Sequence, residues 1–266
     1  MHDSSNNKKQ GSTRGGAGLT LLAALTLSAP LAAQQPEPTP RMADGKPDLS
    51  GVWWTGGDLG SPTYNSSRTG EHQGPPVPSY TELYQPWARD KAATLSDKDD
   101  PTLQCRPTAF GTLNVRLFDV GTLGQIISTP DMMVFLQETF HGWQLIPTDG
   151  REHRELPPSW RGDSVGHWED DTFVVETRNF TDDTWIYAEG RVTIHSDQLR
   201  IVERYRRPDA DTLMVDATVY DEGALTAPWV VPTQRLVRAP FDQLMPLICT
   251  GVETQALMDA AAELGD

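Results

Sequence analysis

The stretch from Gly162 to Arg207, GDSVGHWEDDTFVVETRNFTDDTWIYAEGRVTIHSDQLRIVERYRR, leaves a chain few ways to fold. Its apolar residues recur at every second position. Phe173, Val175 and Thr177 alternate with Val174, Glu176 and Arg178. Val192 and Ile194 alternate with Thr193 and His195, and Leu199, Ile201, Glu203 and Tyr205 with Arg200, Val202, Arg204 and Arg206. A period of two, rich in β-branched and aromatic residues, specifies antiparallel strands with one packed and one wet face. The interruptions agree: Glu169-Asp170-Asp171 and Ser196-Asp197 are turn chemistry, because short polar side chains bond their own backbone there. Beyond the Arg207-Pro208-Asp209-Ala210-Asp211 turn, Leu213, Val215, Ala217 and Val219 continue the pattern. Successive hairpins make a meander.

The same rule applied outward finds strands at Thr112 to Asp119, Gln125 to Ser128, Met132 to Glu138, Gly142 to Pro147 and Trp229 to Val237. That makes eight or nine strands in a chain of 266 residues, with no strand–helix–strand alternation, so a parallel α/β fold is disfavoured. The expected fold is all-β: an antiparallel meander closing into a barrel, with short helices near the N-terminal end and the C-terminus. Trp87 to Ala93 is the better piece of the first helix, with Pro86 near its first turn; Gly251 to Glu263 is the second. Residues 55–78, rich in Gly, Ser, Thr and Pro, read as loop.

The ends carry processing and compartment information. Lys8, Lys9 and Arg14 precede an apolar run from Gly18 to Ala33 that is broken by Thr26, Ser28 and Pro30. This reads as a secretory signal peptide over residues 1–33, not a membrane span. Residues 34–43 read as an extended, proline-containing linker, and 44–266 as one barrel domain. Export places the protein in the periplasm or outside the cell, with no membrane insertion after signal cleavage. The formal charge is −15; residues 1–33 hold three bases and one acid, so the remainder is near −17. Nucleic acid, which needs a basic face, is thereby excluded as a partner, as are anionic membrane surfaces. Cys105 and Cys249 are the two cysteines. An even count in an oxidising compartment favours a disulfide between them over two buried thiols. Closing so long a loop is worth about 4–5 kcal/mol in the chain-entropy account.

Gly51-Val52-Trp53 opens the first strand as G-x-W, which resembles the lipocalins and the wider calycin group. The resemblance implies a Trp closing the barrel base under an Arg from a late strand, with Arg235 and Arg238 as candidates for that cation–π contact. A longer resemblance covers about Asp44 to Cys249. The pieces DGKPDLSGVW (44–53), TDGREH (148–153), GDSVGHWEDDTFVVET (162–177), HSDQLRIVERYRR (195–207) and PW (228–229) are similar to an uncharacterised family of secreted bacterial proteins. That family usually has Gly where this chain has Asp170, Asp-Pro where it has Asp221-Glu222, and a Cys-Glu-Asn-like tail where it has Cys249-Thr250-Gly251. The resemblance implies secretion and no particular activity.

Candidate chemistry centres on Glu203, which interrupts an apolar strand face. On the interior of a barrel its carboxyl is desolvated and suits a general acid or base; the alternative is an ion pair with one of the many nearby arginines. His195 and His153 titrate near pH ~6.5 when unperturbed, and either, set against Glu203 or Asp149, makes an acid/base pair at a barrel mouth. The alternative for each is a histidine hydrogen-bonded to backbone. Trp143, Trp160, Trp168, Trp185 and Trp229, with Arg151 and Tyr205, are candidates to line a cavity for a small apolar or aromatic molecule, or else ordinary core. Gly162-Asp163-Ser164-Val165-Gly166 matches G-x-S-x-G, but a nucleophile elbow needs a strand before and a helix after it. No H-E-x-x-H or i, i+4 histidine pair occurs, so neither a metal nor another cofactor is expected. The expected function is binding of a small apolar or aromatic ligand, with cofactor-free acid/base chemistry (isomerase, lyase or hydrolase) or without catalysis, as a lipocalin-like binding or envelope protein. Nothing in the sequence speaks to oligomeric state.

Overall fold

The computed structural model describes residues 37–54, 78–109, 123–138, 142–186 and 192–244, all within the compact unit Pro36–Asp266. Nine strands form one sheet: β1 (Gly51–Trp54), β2 (Leu123–Ser128), β3 (Met132–Gln137), β4 (Gly142–Pro147), β5 (Asp163–Glu169), β6 (Thr172–Arg178), β7 (Arg200–Asp209), β8 (Thr212–Tyr220) and β9 (Trp229–Arg238). Their spatial order is β4-β3-β2-β1-β9-β8-β7-β6-β5. Every ladder between neighbours is antiparallel. The sheet coils into a nearly closed all-β barrel, as the alternation requires. The first helix, α1, spans Pro86–Ala92, with its proline at the first turn. The Thr112 to Asp119 strand and the Gly251 to Glu263 helix lie outside the described residues.

The inward face follows the period of two. Ile201, Glu203, Tyr205 and Arg207 of β7 are buried, as are Leu213, Val215, Ala217 and Val219 of β8 and Phe173, Val175 and Thr177 of β6. The apolar members of this face join Trp53, Tyr80, Phe135 and Trp229 in one contiguous core, so the interior among the described residues is packed with side chains. At ~1.5–3 kcal/mol for each large apolar group removed from water, this core is the main stabilising term.

Trp53 illustrates the packing. Its Nε1 donates to the Leu49 carbonyl at 3.0 Å. Two guanidinium carbons lie over its ring, Arg207 at 5.0 Å and Arg238 at 5.8 Å. Arg238 thus takes the stacking position suggested by G-x-W. Arg235 instead reaches Thr212 Oγ1 at 3.3 Å. The nearer cation, Arg207, comes from β7, where its in–out phase points it at the core. It is satisfied there by the carbonyls of Asp48 and Ala210.

Three local readings change. Asp163–Glu169 is a full strand paired with β6 from Asp163↔Arg178 to Glu169↔Thr172; its glycine and two terminal charges hide the alternation. Asp170, in the hairpin turn that follows, has φ 52, a left-handed conformation that Asp tolerates and Gly adopts freely. Val192 to His195 make a single bridge, Trp185↔Ile194, not a strand. The Tyr80 hydroxyl takes the Ile194 carbonyl at 3.0 Å, occupying an acceptor a ladder would need. Residues 37–43 are extended and docked: Ala210 N donates to the Glu37 carbonyl at 3.0 Å, and Arg41 grips Asp171 with both terminal nitrogens at 2.9 and 2.7 Å.

Candidate functional site

β4 and β5 face each other across the one join of the barrel that has no strand ladder among the described residues. Side chains and a loop bridge it. Gln144 Nε2 donates to Ser164 Oγ at 3.1 Å and to the Arg161 carbonyl at 3.2 Å. Past the strand end, Gly150 N donates to the Gly166 carbonyl at 3.1 Å. Gly166 has no room for a side chain: an added Cβ would stand 2.9 Å from Phe173 Cε2 and 3.1 Å from Ile146 Cγ2.

Over this seam lies a cleft of about 530 Å³ walled by Trp143, Gln144, Trp160, Arg161, Asp163 and Ser164, among others. Trp143 projects outward from β4 and is 62 % exposed; Trp160 is 43 % exposed. The Trp160 indole is held by its Nε1, which donates to Asp183 Oδ1 at 3.1 Å. Arg161 donates to Gln137 Oε1 and has no carboxylate partner among the described residues. Burial pulls its guanidinium down to about 10, because desolvation disfavours the charged form. Gln144 Oε1 is buried without a hydrogen-bond partner among the described residues.

The loop between β4 and β5 carries a second cluster. His153 Nδ1 is 3.0 Å from Asp163 Oδ2, and its Nε2 is 3.3 Å from Glu176 Oε1. Asp163 Oδ1 also accepts from Arg154 Nε at 2.9 Å and Nη2 at 2.6 Å. Burial pushes the Asp163 carboxyl up, but the hydrogen bonds from Arg154 and His153 outweigh it and leave the group below its usual range. The His153 side chain is 6 % exposed, closed between two carboxylates, and fastens the loop to the outer face of β5 and β6.

A larger cleft, about 790 Å³, is lined by Arg154, Arg178, Arg200, Tyr220, Asp197 and Glu222, among others. Arg178 and Arg200 are direct cross-strand partners, an arrangement that repels. Arg200 relieves it by bonding Glu176 at 3.0 Å and stacking on Tyr220 at 3.9 Å.

The remaining sequence candidates are dispersed. Glu203 is fully buried in the core, on the face of Val175 and Ala217, and accepts the Tyr205 hydroxyl at 2.8 Å. His195 is 1 % exposed. Its Nδ1 donates to the Ser196 carbonyl at 2.9 Å, which fixes the tautomer, so Nε2 accepts from Thr184 Oγ1 at 3.0 Å. Burial lowers its pKa, partly offset by that carbonyl. Neither residue lines the two clefts above. Asp149 and Arg151 form an exposed ion pair at 2.8 Å. Trp229 and Tyr205 are core, Trp229 edge-on to Tyr80 at 5.3 Å. Trp168 tilts against Phe173 at 5.2 Å beneath Lys46. Of the predicted cavity-lining set, Trp143 and Trp160 wall the seam cleft.

Ser164 points inward, 2.8 Å from Thr177 Oγ1. It sits within a strand, not on a strand-to-helix turn, and its side chain bonds Thr177 and Gln144, with no histidine partner among the described residues. Cys105 closes a 3-10 turn, Pro101–Gln104, at φ 58; Cys249 lies outside the described residues. Among the described residues no group of three or more His, Cys, Asp or Glu is arranged for a metal, and no helix is long and apolar enough to cross a membrane.

Arg161, Gln144, Asp163 and Glu176 escaped the sequence reading. Trp160-Arg161 directly before Gly162-Asp163 was the available signal: an indole beside a cation at the start of a strand. Comparisons with protein-family models, with curated proteins and with solved structures each found no match to this chain.

Proposed function

We propose that this is an exported barrel that binds a small apolar or aromatic molecule, and that the ligand docks in the seam cleft, not in a lumen. The observation that carries this reading is the pair of exposed indoles, Trp143 and Trp160, across a 530 Å³ cleft at the unladdered join. Large solvent-exposed aromatics beside polar groups that converge on one concavity are what a small-molecule site requires. Glu203 lies in the core and lines neither cleft. Screening aromatic compounds by ligand-observed NMR tests the proposal: hits lose affinity in both Trp143→Ala and Trp160→Ala. Hits indifferent to both substitutions refute it.

Acid/base turnover is the second reading. One observation favours it: Asp163 borders the cleft and orients His153. It predicts turnover of a cleft ligand that His153→Gln abolishes while binding persists; binding without turnover in the native protein leaves the first reading alone. Export follows from the signal-like N-terminus and predicts a mature chain beginning near Gln34 in the periplasm or medium. The proposed Cys105–Cys249 disulfide predicts one cross-linked peptide on non-reducing digestion; two alkylatable thiols contradict it.

A further inference from the structure

We propose that the seam cleft takes an organic acid, its flat apolar body between Trp143 and Trp160 and its carboxylate on the Arg161 guanidinium. The inference rests on the seam reading above and names the ligand's chemistry. Two features of Arg161 carry it.

First, a guanidinium largely withdrawn from water needs an anion, because burying an uncompensated charge is costly. Arg161 has one neutral acceptor, Gln137 Oε1, and its remaining N–H groups have no acceptor among the described residues. The chain is strongly acidic, with 37 Asp and Glu against 22 Lys and Arg, yet none of those carboxylates that the structure describes is placed on Arg161. Arg154, the other cation of the cleft, is already committed to Asp163 through two nitrogens. That pairing also neutralises the one acidic wall residue, which would otherwise repel an anion.

Second, the surroundings leave space for this head group. Gly142 is what lets it lie there: a Cβ at that position would stand 2.5 Å from Arg161 Nη2 and 2.6 Å from Cζ. A planar, forked donor suits a carboxylate. Trp160 is anchored by Asp183 at its indole nitrogen, so its ring is presented in a fixed pose.

The test uses the mature protein and two isosteric probes, 4-hydroxybenzoate and 4-hydroxybenzamide, titrated calorimetrically. The acid binds ~10–100-fold more tightly than the amide, the range expected for a hydrogen bond to a charged group. Arg161→Gln abolishes the preference, and Arg161→Lys retains part of it. Gly142→Ala, which displaces the guanidinium without removing it, weakens the acid more than the amide. Equal affinity for the two probes in the native protein overturns the inference whatever the variants do, and so does an undiminished preference in Arg161→Gln. Either result leaves the cleft reading standing if binding still depends on Trp143. Failure of both probes to bind at millimolar concentration also overturns it, while the cleft reading is judged separately by the Trp143 dependence of the screen.

Discussion

The two sides of this barrel are built differently. From β6 to β9, strands of seven to ten residues pair in long antiparallel ladders, with register shifts between Arg206 and Asp209 and between Val215 and Ala217, and the inward face is mostly apolar around Thr177, Glu203 and Arg207. At the β4–β5 seam the ladder is missing, and amide, hydroxyl and guanidinium groups bridge the gap. Regular backbone pairing satisfies polar groups without side chains, which frees the inward face for the core. Where pairing lapses, polar side chains take over and leave concave, chemically varied surface. The contrast explains why the proposed binding site lies at the seam.

Substitutions graded by size sharpen or break that contrast. The largest loss is expected from Phe135→Ala, which empties a fully buried site against Tyr205, centroid separation 5.2 Å. Urea unfolding should show a loss of about 3–5 kcal/mol. Gly166→Ala comes next. It crowds the Phe173 ring and Ile146 from the seam side and should cost about 1–3 kcal/mol. A cost near zero would mean the seam yields more than its packing implies.

The pH response is smaller. His195 has a depressed folded pKa, so the unfolded chain takes up its proton first as pH falls. The stabilisation is complete well above about pH 6.5 and is lost as pH drops toward the folded value, at no more than ~1.4 kcal/mol per pH unit. Thr184 and the Ser196 carbonyl both act on this ring. His195→Gln should therefore flatten the stability profile between pH 7 and 5, and an unchanged slope contradicts its burial as a neutral ring. Smallest of all is Trp143→Ala, on the exposed side of β4. It should shift stability by no more than ~0.5 kcal/mol while removing ligand affinity. A large stability loss there would erase the distinction between the two sides.

Much of the closed side was legible in the sequence. The alternation at Phe173 to Arg178, Leu199 to Arg206 and Leu213 to Val219 fixed both strand identity and facing, including Glu203 on the core face. The seam was not legible. Gly166 and Ser164 occupy inward positions where the pattern asks for apolar residues, because the Phe173 ring fills the space above one and Thr177 bonds the other. His153 reads as a loop residue, and only the fold brings it beside Asp163 and Glu176, ten and twenty-three positions along the chain. Arg207 continues an arginine-rich strand end in sequence, yet its phase turns it onto Trp53. Arg161 stands apart for a related reason: what marks it is the lack of a carboxylate partner among the described residues, which leaves no trace in a sequence.

The most direct test of where the ligand sits is an indole-resolved titration. The chain has eight tryptophans, whose Nε1–H resonances can be assigned in ¹H–¹⁵N spectra by substitution and followed as 4-hydroxybenzoate is added. The account predicts shifts at Trp143 and Trp160, with Trp53 and Trp229 unmoved in the core. Shifts at Trp53 and Trp229, with Trp143 and Trp160 silent, would place the ligand inside the barrel and contradict it.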